Sequence, residues 1–78
     1  MVCFDEHYVK FDTLVNDPAN GDPLQRFIVF HEKGREMARF VLRATGDLTR
    51  WEIQSAAKEA LKEARRRRSA PARLQLVA

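Results

Sequence analysis

Residues 49–68 read Thr49-Arg-Trp-Glu-Ile-Gln-Ser-Ala-Ala-Lys-Glu-Ala-Leu-Lys-Glu-Ala-Arg-Arg-Arg-Arg68, and their spacing specifies a helix from end to end. Thr49 followed by Glu52 is a capping box: the hydroxyl accepts from the backbone N–H of Glu52, and the carboxylate accepts from the N–H of Thr49. Behind it, Ile53, Ala56, Ala57, Ala60, Leu61 and Ala64 recur at offsets of three and four, one stripe of a 3.6-residue repeat that has to be buried. Four of the six are alanine, so the helix can lie close to its partner, and a sheet is the expected partner. Lys58, Glu59, Lys62 and Glu63 lie off the stripe and roughly cancel. The closing Arg65, Arg66, Arg67 and Arg68 are not cancelled, and they encircle a last turn expected to project beyond the sheet.

Upstream, Arg26 to His31 and Glu36 to Arg43 are β-branched and aromatic runs around Glu32-Lys-Gly-Arg35, a turn in which Gly34 can take a positive φ. The hairpin register expected is Phe27 opposite Phe40, Val29 opposite Ala38 and His31 opposite Glu36. Alternation then groups Phe27, Val29, Ala38, Phe40 and Leu42 as the floor for the alanine stripe. The other face holds Ile28, Phe30, Met37 and Val41 among Arg26, Arg39 and Arg43, a mixture suited to a partner. Residues 6–15 alternate at Val9, Phe11, Thr13 and Val15 as in a strand, whereas Phe4, Tyr8, Phe11 and Val15 also fit a helix capped by Asp5. The β-favouring composition selects the strand. Asn16-Asp-Pro-Ala-Asn-Gly-Asp-Pro23 separates it from the hairpin.

The fold expected is therefore α+β, a three-stranded antiparallel sheet with one C-terminal helix packed on one face, in the order β-β-β-α. Residues 1–68 form a single domain, and residues 69–78 form a tail in which Pro71 stops the helix and Leu74 to Val77 offer a short edge strand. At 78 residues the chain buries little more than ~60% of its unfolded surface, and one cysteine excludes an internal disulfide. Dimerisation or a bound partner is the expected supplement. No apolar run reaches the ~18 residues needed to cross a bilayer, and the N-terminus has no leader pattern, so no membrane association and a cytoplasmic location are expected. Residues 1–25 carry five carboxylates against Lys10, whereas residues 26–78 hold 13 basic and six acidic groups. Such a division points to nucleic acid or to association between copies.

Across Tyr8 to Ala64 the chain resembles the double-stranded-RNA-binding domain family. The matching residues are Gly21-Asp-Pro23 in the first loop, Phe27 and Val29 in the second strand, Gly46 before the helix, and Ala56-Ala57 with Ala60-Leu61 inside it. The resemblance implies three strands followed by a helix whose first turn grips phosphates. Of the family's lysine cluster only Arg50 carries over, since Thr49 and Ile53 occupy the neighbouring positions. Leu24 stands near the position of a groove-reading histidine, and the family's first helix has no counterpart before Tyr8. The order of elements is also similar to small antitoxin domains of the HicB type and to phage-encoded inhibitors.

For chemistry, the candidates are Cys3, Asp5, Glu6, His7, His31, Glu32 and Glu36. Cys3 and His7 offer two ligands where a structural zinc wants four, and a His31–Glu36 pair lacks a nearby nucleophile or glycine-rich anion loop. Trp51 reads as packing at the edge of the core. No catalytic residue, metal site or cofactor is expected. The function expected is a non-enzymatic binding module using Arg26, Phe30, Arg39, Arg43, Arg50, Arg65, Arg66, Arg67 and Arg68. Its partner is nucleic acid or the nucleic-acid-binding surface of a protein complex. The alternative is a phage or mobile-element inhibitor of a host defence complex, anti-CRISPR-like, or an antitoxin-type domain.

Overall fold

The computed structural model describes the backbone of residues 2–77 and the side chains of residues 2–67. Four strands, β1 (Val2–Phe4), β2 (His7–Asn16), β3 (Pro23–His31) and β4 (Glu36–Arg43), precede one helix, α1 (Arg50–Val77). The strands form one antiparallel sheet in the order β1-β2-β3-β4, each pairing with its neighbours in sequence. The architecture is α+β with one C-terminal helix, but the sheet has four strands rather than three. The additional strand, β1, pairs Val2 with Val9 and Phe4 with His7 across the two-residue turn Asp5-Glu6. Both turn residues have positive φ, 40° and 65°, as a type I′ hairpin requires, although neither is the asparagine or glycine that this turn favours. The Glu6 carbonyl accepts from the N–H of Glu32 at 2.8 Å, tying this turn to the β3–β4 turn. Gly34, at φ 94°, supplies the left-handed residue of the latter.

The helix lies on one sheet face and touches β4 and β1. Its stripe points inward: Ala57 and Leu61 join Val2, Val9, Phe27 and Val29 in the core, with Phe40, Leu42, Leu48 and Ile53 packed around them. Val29 alone among the core residues is wholly excluded from water as a large side chain. The capping box forms as expected, with Glu52 N–H to Thr49 Oγ1 at 3.1 Å and Thr49 N–H to Glu52 Oε2 at 3.0 Å.

Two bulges revise the face assignments. On β4, Val29 faces Ala38 but Phe30 faces Glu36, which leaves Met37 as an extra residue. Met37 consequently turns to the core, not to the outer face, and Phe30 rather than His31 stands opposite Glu36. On β2, Phe11 faces Phe27 while Thr13 faces Arg26, so Asp12 is extra. Thr13 and Val15 therefore leave the face that Val9 and Phe11 share, and Leu14 takes their side. Trp51 is not part of the core edge; it is 75% exposed. The helix does not stop at Pro71 but continues to Val77, so residues 74–77 are helical and not an edge strand. A proline at an interior helix position lacks one hydrogen-bonding N–H and crowds the carbonyl four residues back, so this continuation carries the cost on which the expectation of a stop at Pro71 rests.

Candidate binding surfaces

The outer sheet face is built by alternation. Pairing places Tyr8 beside Phe30, Lys10 beside Ile28, Arg26 beside Val41, and Leu24 beside Arg43. No described element packs over it. The Tyr8 and Phe30 rings stack 5.3 Å apart at 19°, and the Lys10 ammonium lies 5.7 Å from the Tyr8 ring centre. Tyr8 thus already has a stacking partner and a cation beside its ring. Tyr8 and Lys10 escaped the sequence reading because the hairpin alone cannot say which side of β2 shares a face with Phe30.

The arginines expected to ring this face are there, but each is matched to a carboxylate. Arg26 meets Asp12 at 2.6 Å, Arg39 meets Glu36 at 2.8 Å, and Arg43 meets Glu52 at 3.2 Å. The Arg39 hydrogen bond draws the Glu36 carboxyl below its ordinary value, and the Thr49 N–H followed by Arg43 does the same to Glu52. The arginine charge of the face is therefore matched, which leaves Lys10, over the Tyr8 ring, as its remaining cation.

The helix is different. Between Lys58 and Arg67 five cations stand against two carboxylates. Lys58 lies over the Phe4 ring at 5.8 Å, and Lys58, Lys62 and Arg65 share a cleft with Phe4, Asp5 and His7. Glu63 meets both Arg66, at 3.1 Å, and Arg67, at 3.5 Å, so one carboxylate serves two guanidiniums. On the other flank Arg67 lines an open groove of about 650 Å³ with Ala38, Phe40, Ala56, Ala60 and Ala64. The helix continues from Arg67 to Val77, and Arg67 lines its groove with Ala38 and Phe40 of β4, so the arginines lie along the sheet in the middle of the helix and not in a projecting last turn as expected. Arg50 is exposed in the first turn, some 22 Å along the axis from Arg65, and does not join this cluster. The side chain of Arg68 lies outside the described residues.

The candidates for chemistry are dispersed or occupied. Cys3 faces Tyr8 whereas His7 faces Phe4, so the two point to opposite sides of the sheet. His7 Nδ1 contacts the Asp5 carbonyl at 2.6 Å, and the His31 ring packs edge-on against it. His31 Nδ1 accepts from the Lys33 N–H at 3.2 Å, which leaves Nε2 toward Glu6, 3.9 Å away. Glu36 is held by Arg39 instead of His31. Among the described residues no three of His, Cys, Asp or Glu gather as a metal-holding group, and no helix is long and apolar enough to cross a membrane. Comparison of the chain with protein-family models, with curated proteins and with solved structures finds no match.

Proposed function

We propose that this chain is a non-enzymatic module that binds nucleic acid through the basic middle of its helix. The observation that carries the reading is the division of charge: the sheet arginines are each paired with a carboxylate, while Lys58 to Arg67 hold five cations against two carboxylates on one helix. Lysine and arginine along an exposed helix engage phosphates by releasing their counterions, with no need for a deep pocket. The resemblance to double-stranded-RNA-binding domains adds Arg50 as a second phosphate contact at the far end of the helix. A duplex is the partner that an elongated basic ridge of this kind would follow.

The test is a mobility-shift titration with duplex RNA, duplex DNA and single strands over a salt series. Binding that weakens steeply with salt supports the reading. Absence of any shift at low salt removes it, because a surface meant for phosphates binds them at least non-specifically. Co-purification with a host protein assembly in place of such a shift would favour the inhibitor alternative.

A further inference from the structure

The outer sheet face is written for burial. Phe27-Ile-Val-Phe30 on β3 and Phe40-Val-Leu42 on β4 are continuous apolar runs, the pattern of strands covered on both sides rather than the alternation of a sheet with one wet face. One side of these runs meets the helix; the other presents Ile28, Phe30 and Val41 with Tyr8, and no described element covers them. Val41 is 45% exposed.

We infer that a second copy of this chain covers the face, the two sheets packing back to back about a two-fold axis with their helices outside. Three observations select that occupant. The first is charge: a face ringed by unmatched arginines would repel its own copy, but Asp12, Glu36 and Glu52 neutralise Arg26, Arg39 and Arg43 within each chain. With Lys10 as the remaining cation, such a surface attracts phosphates or an acidic protein only weakly, and it can meet itself with little repulsion. The second is area. The three long strands hold 10, 9 and 8 residues; at about 3.3 Å per residue and about 4.8 Å between strands they make a patch roughly 15 Å by 30 Å before side chains roughen it. Two such patches bury on the order of 1,000 Å², the threshold for a specific interface. The third is need, since among the described residues six make up the buried core and only one of these, Phe27, is aromatic. Sheets stacked about 10 Å apart would give each chain a second apolar layer.

This interface is separate from the basic helix, so the two readings fail independently. Sedimentation of the full chain across roughly 1 to 100 µM spans the range in which a micromolar dimer of this size dissociates. The wild-type protein should sediment as a dimer, and Val41→Glu should raise the dissociation constant on the order of 100-fold or more by placing a carboxylate on the covered face, beside an Arg26 already engaged by Asp12. Its far-UV circular dichroism should match the wild type, because residue 41 faces solvent in the single chain. Should Val41→Glu fail to fold, Val41→Ser, which removes apolar area from the same exposed position without adding a charge, carries the test with an expected weakening of about tenfold. Trp51→Glu, on the helix, should leave the dimer intact. A wild-type protein that is monomeric throughout overturns the inference, as does a dimer that survives both face variants.

Discussion

Glu36 and Arg39, three residues apart on one strand, are joined by a two-point ion pair, Nε to Oε2 at 2.8 Å and Nη2 to Oε1 at 3.1 Å. In a regular strand an odd separation puts side chains on opposite faces. The pair exists because Met37 bulges, which turns Met37 into the core and brings Glu36 round to the face of Arg39.

That pair, together with Glu52 between Thr49 and Arg43, makes stability fall in acid. Both carboxyls titrate below their ordinary 4.5 when folded, so their contribution is complete above that value and is lost as pH drops through the folded one. Denaturant titrations at pH 7 and pH 3 should show the wild type losing more between the two than Glu36→Gln/Glu52→Gln. Glutamine at 52 retains the capping geometry, so the comparison isolates the charge.

The Asp5-Glu6 turn holds two L-residues at positive φ, each at a cost of roughly 1–2 kcal/mol. Replacing it with Asn-Gly supplies the residues that a type I′ turn favours, and thermal unfolding should shift upward by about 4–8 °C, the equivalent of about 1 kcal/mol in a domain this small. An unchanged or lower midpoint would show that the contacts of Glu6 with His31 outweigh the backbone strain.

The helix start and the helix face should respond differently to truncation. Thr49→Ala removes the hydroxyl that caps Glu52 and should cost about 1 kcal/mol. Leu61→Ala leaves a cavity beside Val29 and Phe27 and should cost about 2–5 kcal/mol. Denaturant midpoints measured at constant m-value rank the two, and equal effects would contradict the packing described.

If phosphates are held by the helix arginines, changing residues 65–68 to alanine should flatten the plot of log affinity against log salt by a slope of about 3–4. Arg26→Ala/Arg39→Ala should leave that slope within about 1, because those guanidiniums are engaged by Asp12 and Glu36. The reverse ranking would move the anion-binding surface to the sheet.

What was legible in the sequence was whatever depends on local spacing. The capping box, the alanine stripe and the Lys33-Gly34 turn follow from contacts three or four residues apart. The pairing of Phe27 with Phe40 and of Val29 with Ala38 follows from counting outward from that turn. The count fails at Met37 and Asp12, since a bulge has no signature of its own and is chosen by the side chains it buries and pairs. β1 was missed because Asp5-Glu6 lacks the residues of a tight turn and three residues are too few to show alternation.

For the binding surfaces, the sequence alone determined the number of cations and their concentration on the helix, but it placed them in the last turn, whereas the helix runs on to Val77. Only the tertiary structure decided which of them are matched. Asp12 reaches Arg26 from another strand, Glu52 reaches Arg43 from the helix, and Glu36 reaches Arg39 only through the bulge. The first two pairings join residues far apart in the chain and the third depends on a local distortion, so the net charge of a face is a property of the fold and not of the order of residues along it.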